Sequence, residues 1–118
     1  MADQTGPGTA KRGAPFVIAE KAKDYILTHY AEKFSLDQMA NALFINKIYL
    51  SKCFKQATGE TLLQYHNRIR CEKACALLKE TSLSVEIISS RVGYATASHF
   101  ARIFRGIYHC SPMEYRKN

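Results

Sequence analysis

Apolar residues recur along this chain at intervals of three and four, and no stretch alternates with the two-residue period of a strand. Ile18, Ala22, Tyr25, Ile26 and Tyr30 make the first helical stripe. Ser35 predicts a cap, with Gln38 three positions on to complete a capping box, ahead of Met39, Ala40 and Leu43. Asn46 caps a third helix running to about Thr58, which Gly59 stops. Thr61 and Gln64 form another box and open a long helix to about Glu80, with Leu62, Tyr65, Ile69, Ala74, Leu77 and Leu78 at its buried positions. Ser84 caps a fifth helix ending before Gly93, and a sixth runs from near Thr96 to about Tyr108. Ser111-Pro112-Met113-Glu114 combines a cap, a proline at the first helical position and a glutamate at the third, and starts a short seventh helix through Tyr115. The expected fold class is all-α, with seven helices.

The pattern repeats after about fifty residues. Leu50, Cys53, Phe54 and Ala57 match Phe100, Ile103, Phe104 and Ile107, each quartet at i, i+3, i+4, i+7. The same offset pairs Lys52 with Arg102, Lys55 with Arg105, Thr61 with Ser111, Gln64 with Glu114 and Tyr65 with Tyr115, while Ser35 and Ser84 match one residue short of it. Each copy reads as a helix-turn-helix, so the architecture is a homeodomain-like duplication: two helix-turn-helix subdomains joined by a long linker helix. The boundaries are about 16–59 for the first unit, 61–80 for the linker helix and 83–118 for the second unit.

If each quartet faces the core, the opposite face is set by helix geometry. In the first copy it carries Lys47, Ile48, Ser51, Lys52 and Lys55; in the second, Ala97, Ser98, Ala101, Arg102 and Arg105. Neither face carries a carboxylate. Lysine and arginine reach guanine edges, serine any base, and isoleucine or alanine a thymine methyl, so both faces suit a major groove. A linker helix of about twenty residues is roughly 30 Å long, close to one turn of duplex at about 34 Å. One chain could then occupy two successive major grooves without a palindromic site.

Charge strengthens this reading. The chain of 118 residues has 17 Lys and Arg against 10 Asp and Glu, a net charge of +7, which implies a polyanionic partner. Residues 1–15 hold Gly6, Gly8, Gly13, Pro7 and Pro15, and read as a flexible tail or interdomain linker. Gly6-Pro7-Gly8 ahead of Lys11-Arg12 lacks the GK[ST] ending of a phosphate loop, and no other cofactor motif occurs. No segment approaches a membrane span, and the N-terminus has no apolar secretion signal. Cys71 and Cys75 with His66 do not complete a zinc shell, and Cys53 belongs to the core quartet. His29, His66 and His99 share no motif with a nucleophile and an orienting acid, so the expectation is a protein that is not an enzyme, with no metal and no cofactor.

These residues together resemble the DNA-binding domain of AraC/XylS-type transcription regulators, over roughly Ile18 to Arg116. The most specific stretch is Leu83-Ser84-Val85, Val92-Gly93-Tyr94, Ser98-His99-Phe100, Arg102-Ile103-Phe104-Arg105 and Ser111 through Arg116. The first half adds Ser35-Leu36, Leu50-Ser51-Lys52, Phe54-Lys55, Thr58-Gly59, Tyr65, Arg68 through Arg70 and Lys73-Ala74. The resemblance implies bacterial transcription control, usually activation, in the cytoplasm at the nucleoid, on double-stranded DNA and with RNA polymerase as a partner. It implies base contacts at Lys47, Ile48, Ser51 and Lys52 in the first unit and at Ala97, Ser98 and Arg102 in the second. Lys55 and Arg105 are expected on phosphates.

Four departures stand out. Phe44 sits where the family's first turn usually has glycine or a small polar residue, Asn46 replaces a serine cap, Ser89 replaces an alanine near the core, and His109 replaces a common glycine. Ala97 and Ala101 leave the second face short, so the first unit is expected to supply more base readout and the second to contribute more through Arg102 and Arg105 to phosphates. No sensory domain is present; the Gly/Pro-rich start favours the C-terminal piece of a longer regulator, with an N-terminal effector or dimerisation domain, over a standalone short one. The alternatives are a non-specific basic DNA-binding domain and a protein-interaction module for an acidic partner.

Overall fold

The computed structural model describes residues 7–118, with side chains from Gly13 onward. The helices are α1 (Pro7–His29), α2 (Leu36–Leu43), α3 (Lys47–Thr58), α4 (Leu62–Glu80), α5 (Val85–Arg91), α6 (Ala97–Tyr108) and α7 (Pro112–Lys117), and no strand occurs among the described residues. Each of the six later helices begins within a residue of its expected start. The first differs. Helical backbone starts at Pro7 and is interrupted at Gly13 (φ 29°, ψ −149°), so the segment expected to be a tail up to Pro15 is largely drawn into α1. Pro15 lacks an N–H, which is why the ladder is interrupted just before it. Residues 1–6 of that tail lie outside the described residues. At the other end, α7 continues past Tyr115 to Lys117.

Local hydrogen bonds account for these boundaries. The Gln38 N–H donates to Ser35 Oγ at 3.1 Å, but the reciprocal half of that expected box is not made. Asn46 Oδ1 accepts from Ile48 and Tyr49 at 2.9 and 3.0 Å, Ser84 from Ile87 at 3.1 Å, and Thr96 from His99 at 3.1 Å. The boxes at Thr61–Gln64 and Ser111–Glu114 close in both directions.

The chain forms two compact units. The first holds α1 up to Thr28, α2, α3 and the start of α4 to Tyr65. Ala19, Ala22, Ile26, Met39, Ala40, Leu50, Cys53, Phe54, Leu62 and Tyr65 are its buried apolar side chains, with Phe54 edge-on to Tyr65. Ala57, expected in the core with its quartet, is exposed. It lies in the last turn of α3, past the end of the apolar seam.

The second unit comprises residues 29–34 and His66–Asn118. Cys71, Ala74 and Leu78 of α4 pack with Ile88, Val92, Tyr94, Phe100 and Phe104, and a run of ring contacts continues from Phe104 to Tyr108 and Tyr115. Leu77, Ile103 and Ile107 pack against this core but are only half-buried. Two arginines hold the unit's ends by donating to carbonyls that no helix satisfies. Arg70 Nε and Nη2 donate to Tyr30 O at 2.6 Å and Glu32 O at 2.7 Å. Arg116 donates to Leu78 O at 2.9 Å and Thr81 O at 3.2 Å, which ties α7 to the C-terminus of α4. Ser89 is buried, and its hydroxyl finds the partner it requires in Glu86 O at 2.8 Å.

Gly93 turns α5 toward α6 with φ 105°, and a Cβ there would stand 2.7 Å from Ala31 O and 2.9 Å from the Arg70 guanidinium. No side chain fits that position. In the same unit His66 is buried with neither ring nitrogen hydrogen-bonded, its ring edge-on to Phe34 at 5.2 Å. Burial, and then the charge of Arg70, lower its pKa to about 4 against the opposing effect of the Glu32 backbone.

Candidate nucleic-acid interface

The core pins one face of α3 and so defines the other. Leu50, Cys53 and Phe54 are buried inward. Lys47, Ile48, Lys52 and Lys55 are exposed outward, with Ser51 half-buried between them. Ile48 is 73% exposed in the first turn, two residues after the Asn46 cap. Lys47 Nζ donates to Asp37 Oδ1 on α2 at 2.9 Å, and Lys55 Nζ donates to Gly59 O at 3.0 Å. Both contacts are exposed and weak, and both leave the ammonium groups in solvent.

In the second unit α6 is held by fully buried Phe100 and Phe104. Ser98, Arg102 and Arg105 are exposed, whereas Ala97 and Ala101 are half-buried. Arg105 Nη2 lies 3.4 Å from Glu114 Oε1. The Ser111 backbone N–H and hydroxyl, and then Arg105, hold the Glu114 carboxyl below the usual carboxylate range. His99, exposed, sets its ring edge-on to Tyr94 at 5.3 Å.

Each unit therefore gathers its expected contact residues on one outward face of one helix. The sequence reading missed that Asp37 and Glu114, carried on neighbouring helices, each engage one cation of these faces. The Ser111–Glu114 box could have revealed the second, because the cap fixes the glutamate beside Arg105. Nothing local marked Asp37, ten residues from Lys47.

Other chemistry is sparse. Among the described residues no group of three or more His, Cys, Asp or Glu could hold a metal ion. Burial pushes the Cys71 thiol up to about 11, which keeps it protonated and unreactive. No described helix is long and apolar enough to cross a membrane.

Comparison with known proteins agrees with this geometry. A family profile described as a helix-turn-helix domain matches residues 39–118. The chain is 36% identical over 100 residues to the HTH-type transcriptional regulator YisR of Bacillus subtilis (strain 168), covering 85% of this chain and 35% of that protein. It is 36% identical over 102 residues to the xylose operon regulatory protein of Escherichia coli (strain K12), covering 86% and 26%. It thus spans about a third or less of the length of these curated relatives. Among solved structures, the C-terminal domain of AraT, a response regulator from Geobacillus stearothermophilus, superposes with a TM-score of 0.80 at 35% identity, over 85% of this chain and 84% of that one. With two capped helix-turn-helix units, a cationic outer face on the second helix of each, and these relatives, the chain belongs to the AraC-type helix-turn-helix family of DNA-binding transcription regulators.

Proposed function

We propose that this chain reads duplex DNA by laying α3 and α6 in major grooves. Lys47, Ile48, Ser51 and Lys52 face the bases of one half-site, and Ala97, Ser98 and Arg102 those of the other. Lys55 and Arg105 contact phosphates. The observation that carries this reading is the duplicated outward face: in both units, exposed cations with small, mostly half-buried residues between them stand opposite a buried apolar seam that includes phenylalanine, and the face itself bears no carboxylate. A net charge of +7 supplies the long-range attraction. In a longer parent chain, an N-terminal effector or dimerisation domain would govern this module, RNA polymerase would be its protein partner in activation, and the nucleoid its location in the cytoplasm.

Selection from random duplex DNA, at moderate salt with excess non-specific competitor, tests it. Two short enriched blocks centred about one helical turn apart, without palindromy, are expected. Retained DNA with no enriched sequence would replace this reading with general polyanion binding.

A further inference from the structure

We propose that Phe44, in the turn between α2 and α3, is a further DNA contact: an aromatic ring that meets an apolar edge of the duplex, beside Ile48. The proposal rests on the DNA reading of α3 given above. Phe44 is 94% exposed, so it contributes nothing to the packing of its unit. It also sits at φ 58°, ψ 42°, a left-handed conformation that a bulky side chain disfavours. The second copy of the duplication has Gly93 at this place, with φ 105°. There, glycine is required by the close approach of Ala31 O and Arg70; Phe44 is open to solvent instead, and its ring is carried against its own backbone preference. A side chain that strains the turn and packs against nothing points to an external contact.

Its placement says which contact. Phe44 caps the end of α2 three residues before α3 begins at Lys47, and Ile48 stands 73% exposed on the first turn of that helix. Lys47 and Lys52 are exposed on the same helix as Ile48, and the carboxylate of Asp37 is engaged by Lys47 at 2.9 Å. A polyanion drawn to these cations brings its groove to the ring. The apolar groups a duplex offers there are thymine methyls and deoxyribose edges, and both share the chemistry Phe44 and Ile48 present.

The experiment is Phe44→Gly in the full chain, read by thermal unfolding and by affinity for the selected site at several salt concentrations. Glycine relieves the turn, so Tm should rise while Kd rises about five- to twentyfold, with the log–log salt slope unchanged because no phosphate contact is lost. A variant that binds within about twofold of the parent overturns the contact, and so does a loss of affinity accompanied by a shallower slope. Should Phe44→Gly fold poorly, Phe44→Asn, which also tolerates left-handed backbone, carries the same expectations. Deoxyuridine scanning of the site then separates the two sources. A thymine whose methyl matters to the parent but not to the variant assigns the contact to a base; undiminished binding at every substituted position, with affinity still lost in the variant, assigns it to the sugar. If the parent itself enriches no sequence, the DNA reading fails and this contact with it, whereas equal binding by parent and variant removes the contact alone.

Discussion

Residues at positive φ behave differently in the two halves of the duplication. Gly59 ends α3 at φ 81°, and its counterpart His109 ends α6 at φ 64° with an exposed side chain. Left-handed backbone costs a residue with a Cβ roughly 1–2 kcal/mol. His109→Gly should therefore raise stability by up to about 1 kcal/mol, a rise in Tm of about 4 °C. Gly93→Ala should do the reverse, losing at least about 2 kcal/mol, because the backbone strain is joined by a 2.7 Å clash with Ala31 O. Equal thermal midpoints for either variant and the parent would contradict these assignments. His66 makes a second residue-level prediction. Its pKa falls from 6.5 to about 4 on folding, so between those values the unfolded chain holds the extra proton. Stability is therefore full at neutral pH and falls as pH drops below about 6.5, by about 2 kcal/mol at pH 5. His66→Leu, which buries no nitrogen, should flatten that decline in urea titrations at pH 7.5 and 5.

Helix elements were the most legible level. Asn46, Ser84 and Ser111 each cap the helix expected of them, and Thr96, near the expected start of α6, caps that one, because a cap is a bond to a neighbour two or three residues away. The faces of α3 and α6 followed from periodicity, and only their flanks shifted: Ala57 left the core, and Ala97 and Ala101 are half-buried rather than open. That shift bears on the division of labour between the two helices. The open, polar part of α6 is reduced to Ser98, Arg102 and Arg105, while α3 offers Lys47, Ile48 and Lys52 in the open. Replacing Ser51 and Lys52 by alanine should blur the first half-site in selection, with about a tenfold loss of discrimination. Arg102→Ala should blur the second half-site less and weaken all sequences more evenly, because the short α6 face leaves this arginine divided between base edges and the adjacent phosphates. If Arg102→Ala alone relaxes base preference, the roles of the two helices are reversed.

For the molecule as a whole, the charge excess predicts binding that weakens steeply with salt. Neutralising roughly 6 to 8 phosphates gives a log–log slope of about −5 to −7. Lys55→Ala and Arg105→Ala should each weaken every duplex alike and reduce the slope by about 1; a parent slope shallower than about −2 would rule out this docking mode. The sign of the charge, the duplicated pattern, the starts of the six later helices and the outward faces of α3 and α6 were determined by the sequence alone, because each is written in spacings of a few residues or in composition. The tertiary structure decided the rest. Arg70 meets the carbonyls of Tyr30 and Glu32 from about forty positions away, and Arg116 meets Leu78 and Thr81 from a similar separation. His66 becomes a buried neutral base, Asp37 finds Lys47, and Phe44 is left in the open at a strained turn. Helical periodicity relates a residue only to its neighbours three and four away, so contacts between elements, and the burial they create, exist only once the helices have packed.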